Sequence, residues 1–254
     1  MRLLAALLLA ALAACAVPPE RFPPFAQVPY QPFSRAAVIA IALTEWRAFG
    51  APVDDAPPET RPPPQPDAKP ERQEGLWQHV GLYWWLGLNP GTRESRWTGK
   101  HDAQGLVFPP QDDDEYAWSA AFVSYVMRLA GAGPRFPYAG AHHVYINRAR
   151  EVSLGRARGD WVVSAEPPDT YAPVPGDLIC MSRTATPLTF ADLPAGRFPA
   201  HCDIVVAREP DVLDVIGGNV DDAVTLKHVP VTANGLLADP RYPWFVVLRV
   251  RDPA

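Results

Sequence analysis

The chain reads as an α+β protein. Two observations predict this. Helical apolar periodicity and helix stop signals dominate up to about residue 151, and short β-rich runs between turn signals take over beyond Pro175. Helices first and strands afterwards mean segregated layers rather than alternating βαβ units, so an antiparallel sheet is expected. No internal repeat is visible. The 254 residues suffice for one domain of fair size or two small ones.

The elements follow in order. Residues 34–49 read as a helix, with Ser34 as N-cap and Gly50 as terminator. Residues 51–70 are rich in Pro, Asp and Ala and read as a loop. A second helix is expected over 71–88, with Trp77, Val80, Leu82 and Trp84 to Leu86 as its apolar material, stopping at Asn89-Pro90-Gly91. A third covers 116–131, YAWSAAFVSYVMRLAG, ended by Gly131-Ala132-Gly133-Pro134. A fourth runs from about Ala141 to Glu151. Five strands are expected, at 176–181, 201–206, 212–217, 223–229 and 244–250, forming a meander.

Composition narrows the function. Net charge is −5 with no long basic block, so a nucleic-acid backbone is not expected as a partner. The first 14 residues, one Arg and then a short apolar run, have the form of an export signal too short to be a comfortable membrane span. Leu12-Ala13-Ala14-Cys15 resembles a bacterial lipobox, which would make Cys15 the lipidated first residue of the mature chain; a plain secretory signal with an accidental Cys is the bland reading. Lipid anchoring would follow from acyl chains at ~0.8 kcal/mol per CH₂. Ala16 after the Cys favours, by resemblance to sorting rules, the outer membrane facing the periplasm. A Pro-rich tether over 15–33 would follow, then a helical extension over 34–110 packed on a main domain over 111–254. Cys180 and Cys202 remain, in a compartment where a disulfide can persist; a bridge between them and two buried thiols are both open.

Ser119 raises the functional question, because it stands in the first turn of the third helix. It is either a cap or a nucleophile. A helix N-terminus offers about half a positive charge and free N–H groups, which suit a developing oxyanion. His201 opens a strand and titrates near neutral pH in an ordinary setting. Asn219, closing the next strand, can fix its tautomer. Period two puts His201 and Asp203 on one strand face and Cys202, Ile204 and Val206 on the other. Asp203 is thus an alternative orienter, giving a Ser-His-Asp set. The acidic run Asp112 to Glu115 would favour the helix start but oppose an oxyanion. His142 and Tyr145, with Trp118, are candidates to line a cleft; a solvated His142-His143 pair is the plainer reading. Trp84, Trp85 and Trp97 could pave a glycan surface, though core is their commoner fate. No metal-ligand spacing is present, and neither metal nor other cofactor is expected.

Four motifs in this order resemble the papain-like cell-wall hydrolases of the CHAP and NlpC type. Trp118-Ser119-Ala120-Ala121-Phe122-Val123 matches their nucleophile helix with Ser in place of Cys. Pro175-Gly176-Asp177-Leu178, His201-Cys202-Asp203-Ile204-Val205 and Gly217-Gly218-Asn219-Val220 match their successive strand signatures. The chain is also similar, over roughly 34–252, to a bacterial family of unknown function, DUF2272, through Trp-Ser-Ala-Ala-Phe and His-Cys-Asp-Ile-Val. The resemblance implies a papain-like domain that hydrolyses amide bonds of peptidoglycan or another envelope polymer, as a monomer. A hydroxyl ionises far less readily than a thiol and needs general-base help. Two alternatives therefore stand: an inactive envelope-binding protein on the same fold, and an ester or lipid hydrolase.

Overall fold

The structure, a computed structural model, describes residues 32–57, 60 and 68–252. The expected export signal, Cys15 and the expected tether up to residue 31 lie outside the described residues. Phe33, the last residue of the expected tether, is instead buried in the core. The described chain from Pro32 onward is one compact unit. No helix among the described residues is long and apolar enough to cross a membrane.

Among the described residues four α-helices come first. Helix α1 (Arg35–Ala48) starts where the Ser34 side chain accepts from the Ala37 N–H at 3.1 Å, and Gly50 follows its end at φ 85°. Helix α2 (Leu76–Gly87) begins five residues later than the periodicity suggests. Pro70–Arg72 form a separate 3-10 turn, and Gly75 at φ 89° breaks the path between them. Helix α3 (Ser119–Leu129) is likewise shorter than expected. The acidic run before it folds into its own 3-10 turn, Pro110–Tyr116. Helix α4 spans His142–Ser153. α2 crosses α3 at Gly87, where a Cβ would stand 2.5 Å from the Ala121 carbonyl oxygen. Between these helices the buried Glu45 carboxylate accepts from the Tyr83 hydroxyl at 2.8 Å and the Tyr125 hydroxyl at 3.0 Å, and contacts His79 Nδ1 at 3.0 Å.

The sheet has six antiparallel strands, not five: β1 (Val163–Glu166), β2 (Leu178–Ser182), β3 (Ala200–Arg208), β4 (Val212–Val220), β5 (Ala223–Pro230) and β6 (Trp244–Val250), in the order β1-β6-β2-β3-β4-β5. β2 to β5 form the expected meander. β6 departs from it and inserts between β1 and β2, pairing Val163 with Val250 on one side and Leu178 with Leu248 on the other. Val-Ser-Ala-Glu is too short and too polar to declare itself as a strand; β6 makes it one.

The sheet is covered on both faces. Cys202, Ile204 and Val206 join the main core with α1 to α4, while Ile179, Val205, Val215 and Val229 join a second core with Tyr171, Leu237 and Trp244. The Pro175-Gly176-Asp177 signature anchors α1. The Arg35 guanidinium donates to the Pro175 and Val174 carbonyls and lies 3.0 Å from Asp177 Oδ1. Gly176 takes φ 95°, and a Cβ there would meet Arg35 at 2.9 Å. Asp177 also accepts from the Val250 and Val174 N–H groups and the Tyr171 hydroxyl. Cys180 and Cys202 face each other across β2 and β3 and are joined in a disulfide.

Candidate active site

Two helix starts meet at the site. Ser119 is the first residue of α3 and His142 the first of α4, and Ser119 Oγ lies 2.6 Å from His142 Nε2. One turn along α4, the Tyr145 hydroxyl hydrogen-bonds His142 Nδ1. When the serine donates to Nε2, Nδ1 carries the proton and donates to Tyr145, the tautomer a general base requires. Burial first, and then His201, hold His142 well below the ordinary imidazole range, with Asp203 pulling the other way. Burial pushes the Tyr145 phenol well above its usual value. Both groups are therefore neutral at pH 7. His143 lies outside this set, half-buried, with its ring 5.8 Å from Phe198.

Trp118 has no side-chain cap over the start of α3, and the first intrahelical bond is Phe122 N–H to the Trp118 carbonyl at 2.9 Å. Among the described residues the N–H groups of Ser119, Ala120 and Ala121 donate no hydrogen bond. They are the free donors that a helix start offers to negative charge.

His201 stands beside this pair rather than on it. Its ring centroid is 5.4 Å from that of His142, and its Nε2 is 2.9 Å from Asp203 Oδ1. Burial lowers His201, with Asp203 opposing. Asp203 Oδ2 makes an ion pair with Lys227 Nζ at 2.7 Å. Burial alone would raise Asp203; Lys227 and then His201 more than offset it and hold the carboxyl below its usual range. The orienting partner of His201 is therefore Asp203, not Asn219. The β4–β5 register breaks between Gly217 and Val220, and Asn219 takes φ 56°, so the two-residue period does not run through it. The preceding glycines have a steric role. A Cβ on Gly217 would stand 2.1 Å from Asp203 Oδ1 and 2.8 Å from His201 Nε2, and one on Gly218 would stand 2.6 Å from the Phe122 side chain.

Trp118 is buried and lines no surface. It packs against Phe49, Tyr83 and Phe122, and its Nε1 donates to Glu71 Oε2 at 2.6 Å. Burial, then the charge of Asp222, push the Glu71 carboxyl up to about 8. The acidic run does not act as a block on α3. Asp113 is buried between Lys69 at 2.5 Å and Arg72 at 2.8 Å, which neutralises it. The three tryptophans also part company: Trp84 is core, Trp97 packs edge-on against it at 5.0 Å, and only Trp85 is exposed. Sequence reasoning missed Glu71, Lys227 and the bond from His142 to Ser119. Among the described residues no group of three or more His, Cys, Asp or Glu side chains is placed to hold a metal ion.

These parts define a serine–histidine site on an α+β scaffold, flanked by a second histidine with its own carboxylate. Residues 71–250 match the family described as an uncharacterised protein conserved in bacteria (DUF2272), and the chain belongs to it. The match contains the whole site and leaves α1 outside. No curated protein matches, and no solved structure does.

Proposed function

We propose that the protein is an exported, lipid-anchored serine hydrolase with a papain-like arrangement of its site, cleaving amide bonds in peptidoglycan. The observation that carries the chemistry is the 2.6 Å contact between Ser119 Oγ and His142 Nε2 at the start of α3. In attack, the Ser119 oxygen bonds the substrate carbonyl carbon and its proton passes to His142 Nε2. The carbonyl electron pair moves onto oxygen, where the free N–H groups of the first α3 turn favour it. The C–N bond then breaks, the amine leaves with the proton from His142, and water releases the acyl group from Ser119 by the reverse proton path. Asp203 supplies nearby negative charge to the imidazolium.

The substrate follows from the export signal, the lipobox and the order of motifs shared with cell-wall hydrolases. Here the general base is His142, where the resemblance would have used His201. Ester cleavage by the same serine is chemically open, and the outer-membrane, monomeric state belongs to the same proposal. One observation favours a binding protein instead: Ser119 is 7% exposed, His142 5% and His201 2%. A fluorophosphonate probe separates the two. Ser119 labels in the wild type and nothing labels in Ser119→Ala, and purified peptidoglycan releases free amine only with the wild type. An unlabelled wild type that still binds peptidoglycan would replace the hydrolase with the binding protein.

A further inference from the structure

Lys227 is an unusual residue to find 1% exposed in the middle of a strand. Lys is rarely buried this deeply without a partner. Its partner is two strands away. Lys227 lies on β5 opposite Val215 of β4, and Asp203 lies on β3, beyond β4. Two interstrand spacings amount to ~10 Å. A lysine and an aspartate can meet over that distance only if the strand between them leaves the way open. Gly217 does so. The pairing of Ile204 with Ile216 brings it beside Asp203, and any side chain at 217 would occupy the space of the carboxylate and the His201 ring. Tyr242 and Trp244 close the other side of the ammonium, with ring centroids 5.0 Å and 5.9 Å from Nζ. The contact is therefore built by four elements and not left to a flexible surface chain.

We propose that Lys227 is a positioning residue of the site, reaching over Gly217 to hold Asp203 with its other oxygen against His201. Its catalytic meaning rests on the serine-hydrolase reading; its action on His201 does not. A buried carboxylate facing an imidazole, with no third group, would draw a proton onto the ring and make an ion pair. Lys227 already supplies the cation, so His201 can stay neutral beside an ionised Asp203. The other groups that bear on this ring are His142, from the start of α4, and Arg183, just beyond β2; Tyr145 faces Asp203 from α4. None of them takes the place of Lys227 on the second carboxylate oxygen.

The test is the imidazole titration of His201, followed by nitrogen-correlated NMR of the full mature chain. In the wild type His201 loses its proton below the ordinary midpoint. Lys227→Met raises that midpoint by about one pH unit or more. Lys227→Met with Asp203→Asn, which removes both charges, brings it down again, an outcome that lost packing alone would not produce. A folded Lys227→Met whose His201 titrates as in the wild type overturns the proposal. Should Lys227→Met fail to fold, Lys227→Gln takes its place, and a folded Lys227→Gln whose His201 titrates as in the wild type overturns the proposal. The fluorophosphonate labelling rate is recorded against pH on the same samples. If His201 shifts while the wild type never labels, Lys227 keeps its role and the hydrolase reading fails.

Discussion

Glu71→Gln should make the protein more stable at pH 8 and above and change little at pH 5. Glu71 is almost fully buried, with one carboxylate oxygen on Trp118 Nε1 and the charge of Asp222 nearby. Its carboxyl rises from 4.5 to about 8 on folding, and Asp222 is raised as well, by burial first. The folded state therefore holds a proton that the unfolded chain gives up. Between about pH 4.5 and about pH 8 the native state binds more protons than the unfolded state, and stability falls as pH rises through that window. At ~1.4 kcal/mol per pH unit, the loss by the alkaline end is on the order of 4 kcal/mol. A glutamine keeps an oxygen for Trp118 and cannot ionise, so the variant escapes the loss. For a domain of this size that corresponds to a melting-temperature advantage on the order of 10 °C at pH 8.5, vanishing near pH 5. Thermal melts from pH 5 to 9 read it directly. Parallel pH curves for the wild type and Glu71→Gln would show that Glu71 ionises freely where it sits and would refute the reasoning.

Two further outcomes are expected. His142→Ala should slow fluorophosphonate labelling of Ser119 by about 10²–10⁴-fold, the usual contribution of a general base, and by more than His201→Ala does; the reverse order of rates would return the base to His201. Cys15→Ser should move the protein from the membrane fraction to the soluble one and abolish incorporation of labelled fatty acid, and unchanged incorporation would remove the lipobox from the account.

Local features of the fold were legible; long-range pairings were not. Ser34 and Gly50 bracket α1 because capping is chemistry between near neighbours, and the alternation of Cys202, Ile204 and Val206 with His201 and Asp203 follows from the pleat. The bond from Tyr145 to His142 spans one helical turn, and the two residues stood together as cleft candidates. What brings His142 to Ser119 is the docking of one helix start on another, which no spacing within either helix encodes. Lys227 was hidden for a similar reason. In Ala-Val-Thr-Leu-Lys-His-Val it looks like the polar tooth of a half-exposed strand, and only its partner two strands away explains its burial. Asn219 was chosen because it closes the strand after His201; the register break between Gly217 and Val220 and its φ of 56° are set by neighbours across the sheet, which the position of a strand end in the sequence does not show.

The place of β6 sets an order of events. A chain is made from its N-terminus, so β6 is the last of the six strands to emerge. Until residues 244–250 arrive, β1 has no neighbour in the sheet and β2 has only β3. Asp177 then lacks the Val250 N–H, and the Arg35 guanidinium lacks the Val250 carbonyl. Everything before β6 must therefore wait with one side of β2 open. Loss of β6 would unpair β1 and β2 and release α1 from one of its anchors, although His201, Asp203 and Lys227 all lie on other strands.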